Sequence, residues 1–475
     1  MTAPAIQRRS LPPSGAAVQR AGALAAAKLG FDSNPFFGIE FTPAFLAFAG
    51  YMVAIITYRF PIGTASMTIA LLALPMEKQS LRLPAVAALS MALVAWALLG
   101  MTVTDYPDVV VDAVSDFAKV CAVIFVAANV IVTRSRFRAF VLGSIILWGL
   151  FPIRGTIFAY FLYHGDVEGR AAWNYIYSNP NDLAGLCLLQ LSVALGILAV
   201  ERRKWVRLGT MLAVGLLVLI VVITQSRGGI IALTAFGVIG GRKYFRNVKA
   251  ISLALVLAFL VYVIAPDSVW RRFGTIKTAT SADQEYLDPE VVDLATRQDQ
   301  GSSRQRLEIW KVATAIIADH PVTGVGLGAY PEEHYKTSQR PEFDRIARGK
   351  RDTHSTYLNI AAETGIPGFL LFAGVIVLTV RSSRSARKKM GKIAPALALQ
   401  LFNMEVGLYA FLVAAIWGSY GAMIPMYVHL VLMHVAARLL LEHVEGLQPT
   451  QGGRRRFVPA PVRAAAMPAR SEVRA

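Results

Sequence analysis

The sequence predicts an all-α integral membrane protein, a bundle of about 12 transmembrane helices with one large loop outside the membrane. Of its 475 residues 55% are hydrophobic and only 16% are charged, and the mean hydropathy is +0.49. Too few polar side chains remain to cover a soluble globule of this length. Apolar windows of about 20 residues, the length that crosses a bilayer, recur from Phe41 to Leu441. The chain has no alternation typical of barrel strands, so a helical bundle is the structure that lipid permits.

The apolar runs divide the chain into five segments. We predict a cytoplasmic tail over 1–40, about nine spans over 41–265, a large loop over 266–353, about three spans over 354–445 and a basic cytoplasmic tail over 446–475. The predicted spans are 41–60, 62–76, 84–103, 109–132, 137–160, 180–200, 206–223, 227–241, 248–265, 356–380, 395–418 and 420–441. The second and eighth are short and the segment around Arg154 interrupts the fifth, so a count that differs by two stays open.

The distribution of charge supports this topology. The formal net charge is +18, but the segment 266–353 holds 14 of the 30 acids and 13 of the 48 bases, which leaves 35 bases against 16 acids elsewhere. With both termini inside, the basic clusters between spans all fall on the cytoplasmic side, as the positive-inside bias requires. This placement argues against a nucleic-acid partner. The clusters are Arg134, Arg136 and Arg138; Arg202, Arg203, Lys204 and Arg207; Arg242, Lys243, Arg246 and Lys249; and Arg381, Arg384, Arg387, Lys388, Lys389 and Lys392.

The loop and the span that follows it contain three recognisable patterns. Apolar residues recur at helical spacing over 304–319, which predicts an amphipathic helix that lies on the membrane or caps the bundle. A glycine-rich turn over 324–328 follows, and a basic stretch then leads to His354. Further on, Gly365-Ile366-Pro367 predicts a bend in the next span.

Four cationic or imidazole side chains stand out as candidates for chemistry. Arg227, in ITQSRGGIIAL, lies on the outer face against the positive-inside trend, and a guanidinium can hold a diphosphate bidentately. Arg304 and Arg306 begin the amphipathic helix, and one of them, Arg306 in preference, is the candidate partner of Arg227. For each arginine the alternative is anchoring to lipid headgroups. His354 is a candidate to accept a proton from a hydroxyl or to orient that hydroxyl, and its alternative role is a helix cap.

The segment Asn179-Pro180-Asn181-Asp182 reads first as a helix cap, with Asp182 complementing the helix dipole. Asn181 and Asp182 are also candidates for contact with a polar ligand. No cofactor and no metal site is predicted, because the glycines of GVGLG follow a helix and do not join a strand to one. The zinc-protease, P-loop and Ser-His-Asp patterns are missing from the sequence as well.

Taken together these residues resemble one known family. SRGG at 226–229, R-x-x-I-W at 306–310 leading to HPVTGVGLGAY, and HSTYLNIAAETGIPG at 354–368 look like the O-antigen ligase and O-antigen polymerase superfamily. NPND at 179–182 is similar to a further family element, and the motifs cover roughly 175–380. The sequence departs from the pattern at Ser355, where many relatives carry Asn.

The resemblance implies a metal-independent glycosyltransferase of the bacterial inner membrane, with its active face and large loop in the periplasm. The donor would be a glycan on an undecaprenyl-diphosphate carrier, and the acceptor would be lipid A-core in a ligase or another lipid-linked glycan in a polymerase. Arg227 and Arg306 would hold the diphosphate, and His354 would activate or orient the acceptor hydroxyl. A polysaccharide flippase or secondary transporter, and a scaffold of an assembly complex, are the alternatives of other classes. The absence of a clear internal repeat argues against a transporter.

Overall fold

The computed structural model describes residues 41–167, 169–244, 248–265, 270 and 294–447. Over these residues the regular structure is helical, with a single isolated bridge between Val167 and Arg170. The first eight helices are α1 Pro43–Thr57, α2 Gly63–Leu72, α3 Ala85–Gly100, α4 Pro107–Val130, α5 Arg134–Trp148, α6 Arg154–Phe161, α7 Pro180–Val200 and α8 Lys204–Ile223. The remaining helices are α9 Arg227–Gly241, α10 Val248–Ile264, α11 Leu294–Asp319, α12 Tyr330–Thr337, α13 Thr356–Met390, α14 Pro395–Ala414 and α15 Ile424–Leu447.

Six of these helical segments are long and apolar enough to cross a membrane. They are Arg134–Phe161, Pro180–Val200, Lys204–Ile223, Thr356–Lys389, Pro395–Ala414 and Ile424–Glu442. Four shorter apolar helices, α1, α2, α3 and α9, fall where further spans were predicted. A helical membrane protein is therefore confirmed, whereas the count of 12 crossings and the division into five segments stay predictions. The tail over 1–40, the tail from 448 onward and most of 266–293 lie outside the described residues.

The centre of the bundle is α7, which packs against α8, α9 and α14. Its residues are buried along most of its length, as are those of α14. Gly407 of α14 lies directly against Ser192 of α7, where an added Cβ would come within 2.2 Å of the serine Cβ. Because lipid gives no hydrophobic drive for helices to associate, such close contact of small residues is what holds neighbouring membrane helices together.

The fifth predicted span is one continuous helical segment with an irregular turn inside it. A π-helical turn over Gly149–Ile153, which contains Pro152, joins α5 to α6. Proline lacks the N–H that the regular ladder needs, and a π turn accommodates the missing bond. The predicted interruption near Arg154 is thus this turn, and Arg154 begins the helix that follows it.

The predicted bend in α13 is present at Gly365, which has φ 66° and ψ −176° inside the helix. Neither Ile366 nor Pro367 continues the helical ladder, since the N–H of Ile366 donates to the carbonyl of Pro321 and Pro367 has no N–H. The carbonyls of Ala362 and Glu363 therefore lose their usual partners four residues ahead. They accept hydrogen bonds from the glycine-rich turn instead, from Val325 N at 2.9 Å and Gly326 N at 3.0 Å.

The helix predicted over 304–319 is longer than expected, since α11 begins at Leu294. It packs against α13, and Ile309, Val312, Ala313 and Ile316 form its buried face. The helical spacing of apolar residues predicted the part of α11 that packs on the protein. The first turns are polar and have no such spacing.

At the end of the bundle where α5 begins, two ion pairs are buried. Arg136 donates to Glu77 at 2.9 Å, with both side chains at most 4% exposed, and Arg138 pairs with Glu201 at 2.5 Å. Part of the basic cluster 134–138 therefore contributes to packing as well as to topology.

Candidate functional site

Helices α7, α9, α13 and α15 all begin at one end of the bundle, which we call the site end. The chain between α14 and α15, residues 415–423, connects these beginnings. The N–H of Thr356 donates to the carbonyl of Ala415 at 2.9 Å, and its hydroxyl donates to the carbonyl of Gly418 at 2.6 Å. The same hydroxyl accepts from the N–H of Tyr420 at 2.8 Å. The first turn of α13 is thereby fixed on residues 415–423.

His354 lies just before α13 in an unusual backbone conformation. Its φ is 48°, in the left-handed region that few residues other than glycine adopt. The helix N-cap is Ser355, whose N–H donates to the hydroxyl of Thr353 at 3.0 Å. Because Ser355 is the N-cap, the ring of His354 does not cap the helix. Its side chain is 43% exposed. It is available to a ligand at the site end.

Asp352 is the carboxylate that faces the imidazole. Its Oδ2 lies 3.7 Å from His354 Nδ1, and its Oδ1 accepts from the hydroxyl of Ser419 at 3.0 Å. Burial lowers the pKa of His354, the charge of Asp352 raises it and the charges of Arg306 and Arg351 lower it, with a net shift below the usual value. The imidazole is therefore held in its neutral, proton-accepting form near pH 7.

Arg306 is brought to His354 by the way α11 packs. One turn further along this helix, the indole N–H of Trp310 donates to the carbonyl of Thr353 at 2.9 Å, next to His354. Residues four apart share a helix face, so Arg306 lies toward the same surface. Its positive charge acts on both His354 and Tyr420, which places it between α13 and the 415–423 connection.

Arg304 lies apart from this group. It is 73% exposed on its side chain and pairs with Asp344 at 3.3 Å. Of the two predicted arginines in α11, Arg306 is therefore the one whose charge is near the imidazole.

Asn181 and Asp182 start α7 at the same end. The predicted capping is present, because Asn179 accepts from the N–H of Asn181 at 2.9 Å. Asn181 Oδ1 accepts from Arg170 at 2.8 Å, and its carbonyl accepts from the hydroxyl of Tyr420 at 3.1 Å. The charge of Asp182 acts on Tyr420, and the charge of Asp352 acts on Asp182, so Asp182 lies at the site end.

Arg227 is the first residue of α9. Ser226 caps this helix by accepting from the N–H of Gly229 at 3.1 Å. An added Cβ at Gly228 would lie 3.2 Å from Trp417, and one at Gly229 would lie 2.7 Å from Ala184. The two glycines after Arg227 thus let α9 approach both α7 and the 415–423 connection, and Arg227 starts its helix at their junction.

The geometry favours an anion at the site end. Three helix N-termini, those of α7, α9 and α13, direct their partial positive charge there. The guanidinium groups of Arg170 and Arg306 lie in the same region, and Arg227 begins α9 there. Over the described residues no group of three or more His, Cys, Asp or Glu side chains is arranged to hold a metal ion.

The glycine-rich turn supports this site by packing against α13. Gly324, Gly326 and Gly328 have φ of 67°, 105° and 80°, and an added Cβ at each would lie within 2.7 Å of a neighbouring atom. The turn holds the bent part of α13 roughly two to three helical turns after His354. It therefore fixes the direction in which α13 leaves the site.

Four residues that belong to the site were not predicted: Arg170, Asp352, Ser419 and Tyr420. Asp352 offered the only local signal, since a carboxylate two residues from a candidate histidine is a possible partner. The other three lie in connections without periodicity, and their contacts join segments far apart in the chain.

The fold and the site together define a multi-pass helical membrane protein with an anion-favouring end. Residues 212–373 match the family model described as O-antigen ligase. This segment contains α9, α10, α11, α12 and the first half of α13, and the match supports the predicted resemblance to the O-antigen ligase superfamily. The match supports a glycosyltransferase-like function in O-antigen biosynthesis and, with the apolar helices, a place in the bacterial inner membrane. No curated protein matches the chain.

Proposed function

We propose that the protein transfers a glycan from an undecaprenyl-diphosphate carrier to a sugar hydroxyl at the periplasmic face, as a ligase or a polymerase, without a metal ion. The observation that carries this proposal is the arrangement of Arg306, the neutral imidazole of His354 and three helix N-termini at one end of the bundle. That combination suits a reaction with an anionic leaving group and a hydroxyl nucleophile.

In the proposed reaction the acceptor oxygen attacks the anomeric carbon of the donor sugar. A new carbon–oxygen bond forms while the bond from that carbon to the phosphate oxygen breaks. The acceptor proton passes to the free nitrogen of His354, and Asp352 stabilises the imidazolium that results. Undecaprenyl diphosphate leaves as an anion, and Arg227 and Arg306 compensate its charge.

Asn181 and Asp182 have a place in the same proposal. Asp182 lies near Tyr420 and Asp352, where a carboxylate can accept hydrogen bonds from sugar hydroxyls. The amide of Asn181 is held by Arg170, so its role is to position Arg170 and the start of α7 toward the ligand. Arg304, with its exposed pair to Asp344, would bind only the outer part of a long glycan.

The test is transfer by the purified protein in proteoliposomes, from a defined undecaprenyl-diphosphate glycan, with EDTA and without ATP. Lipid A-core and a second lipid-linked glycan are offered as competing acceptors. A product on lipid A-core establishes a ligase and a longer lipid-linked glycan establishes a polymerase. Movement of the donor across the bilayer without a new bond would overturn the proposal in favour of a flippase or transporter.

A further inference from the structure

A second concave surface lies at the site end, on the far side of the chain that joins α6 to α7. It is a cleft of about 420 Å³, lined by Arg59, Arg154, Gly155, Phe158, Ala159, Tyr163, Trp173 and Asn174. Its volume falls within the range of small-molecule sites, roughly 300–1,000 Å³. The proposed reaction assigns no role to any of these residues.

The cleft is built by contacts between three parts of the chain. Trp173 lies flat over Gly155, where an added Cβ would come within 2.2 Å of the indole nitrogen. Tyr58, which ends α1, stacks on Tyr175 with ring centroids 5.0 Å apart. Three of the five non-glycine residues with positive φ in the described chain, Tyr58, His164 and Tyr175, flank this cleft. The other two are Gln225 and His354, beside the candidate active site, and strain of this kind is typical of functional sites.

The cleft is cationic and aromatic. Arg59 and Arg154 are both exposed, and among the described residues neither is paired with a carboxylate. Arg154 lies over the ring of Phe158 at 4.8 Å, directly after the π turn that interrupts the helix. Tyr163 is 74% exposed. Two guanidinium groups on a rim of aromatic rings suit a ligand with an anionic group and an apolar ring face.

The chain between α6 and α7 connects this cleft to the candidate active site. Trp173 and Asn174 line the cleft, while three to five residues earlier Gly169 and Arg170 contact the active site. The carbonyl of Gly169 accepts from Gln225 at 2.7 Å, and Arg170 donates to Thr224 at 3.0 Å and to Asn181. A ligand of several sugar units is long enough to reach from one to the other.

We infer that this cleft binds a saccharide that carries a phosphate or carboxylate group, as a subsite for the acceptor glycan. Arg59 and Arg154 hold the anionic group, the side chain of Asn174 bonds a hydroxyl, and the exposed ring of Tyr163 and the half-buried ring of Trp173 contact the sugar face. That the saccharide is the acceptor rests on the proposed function. Binding of the anionic saccharide to the cleft is measured independently of transfer.

The first experiment is binding to the full chain in nanodiscs of zwitterionic lipid, measured by isothermal titration. The probe is a lipid-free oligosaccharide with one phosphate monoester, compared with the same oligosaccharide after phosphatase treatment. We expect the phosphorylated probe to bind more tightly, and Arg59→Gln and Arg154→Gln each to weaken it by roughly tenfold. The matched control is Arg340→Gln, since Arg340 is also exposed but pairs with Asp319 at 2.7 Å, and it should bind as the parent does.

Two results would overturn the inference: equal affinity for both probes, or unchanged affinity in both arginine variants. Short-chain phosphatidylglycerol is added in a competition arm. If this lipid displaces the phosphorylated probe at a concentration lower than that of the probe, the cleft is assigned to a lipid headgroup. That result would also overturn the inference. The inference is supported if Arg59→Gln still transfers the glycan to a neutral acceptor but has a raised KM for the phosphorylated acceptor. If the unmutated protein transfers the glycan to none of the acceptors, that result instead refutes the proposed function.

Discussion

The carboxylate Oδ2 of Asp352 lies 3.7 Å from Nδ1 of His354, and the second oxygen of Asp352 is held by the hydroxyl of Ser419. This arrangement connects the residue before α13 to the connection between α14 and α15. It leaves the other ring nitrogen of His354 for a substrate hydroxyl. The charge and the orientation of the imidazole are therefore set by residues that the sequence motif alone does not include.

The first prediction concerns pH. A base that must be neutral loses activity as pH falls through its pKa. Asp352 raises the pKa of His354, so Asp352→Asn should move the acidic limb of the transfer rate to lower pH and lower the maximal rate. Arg351 lowers that pKa, so Arg351→Gln should move the limb to higher pH. The measurement is kcat/KM from pH 4.5 to about 8, a range that brackets the usual histidine pKa.

Arg345→Gln is the control for these shifts, because Arg345 is exposed in the same segment and its charge is not among those that act on His354. Asp352→Asn and Arg351→Gln should move the acidic limb in opposite directions. A purely structural effect of the substitutions does not give that result. Shifts in the same direction would remove the role of His354 as the titrating base.

The second prediction concerns the arginines. Arg227→Lys and Arg306→Lys should each keep the fold and lose roughly 10²–10³-fold in transfer, because an ammonium group does not reproduce a bidentate contact with diphosphate. Initial rates at saturating donor measure the loss. Arg304→Lys is the matched control in the same helix, where the side chain is exposed and paired with Asp344, and we expect less than a threefold change there. Full activity in both test variants would remove the diphosphate role.

The third prediction separates donor binding from acceptor activation. His354→Ala should lose roughly 10²–10⁴-fold in transfer and still bind the lipid-linked donor, since the imidazole is proposed to contact the acceptor hydroxyl. Donor affinity is measured by titration of the labelled glycan carrier in nanodiscs. A variant that no longer binds the donor would assign His354 to the carrier site.

The fourth prediction concerns the bend in α13. An added Cβ at Gly365 would meet the carbonyl oxygen of Val322 at 2.1 Å, and φ of 66° is strained for any other residue. Gly365→Ala should therefore destabilise the protein by about 1–3 kcal/mol or more. Thermal unfolding in detergent micelles is the measurement. Gly237→Ala in α9 is the matched control, since nothing lies within 4 Å of its Cβ position, and it should not lower the unfolding temperature.

The fifth prediction concerns the buried ion pair at the opposite end of the bundle. Arg136→Met leaves Glu77 without its 2.9 Å partner in a site where its side chain is only 4% exposed. We expect a loss of about 3–5 kcal/mol of stability, because the remaining charge is buried and uncompensated. Arg82→Gln breaks a pair that is 48% exposed on both sides and should change stability by about 1 kcal/mol or less. Equal effects of the two variants would contradict the difference in burial.

Much of the fold was readable from the sequence because hydrophobic periodicity and length are local properties. The fifth span, its interruption near Arg154 and the bend at Gly365 were each predicted and each correspond to a described feature. The start of α11 was not, because its first turns are polar and carry no apolar stripe. The motif set that contains Arg227, Arg306 and His354 was also visible, and the family match over 212–373 supports the superfamily it indicated.

The sequence by itself indicated the class of protein, the approximate positions of its apolar helices and the resemblance to a family, since composition, apolar length and short motifs are written in consecutive residues. Only the tertiary structure decided which charges meet. It placed Arg306 near His354 and Arg304 beside Asp344, although the two arginines are neighbours in one helix. It also paired the glycine-rich turn with the bend of α13, and Asp352 with Ser419 across 67 residues. Such contacts depend on how helices pack and where connections cross, and no local pattern of residues encodes that geometry.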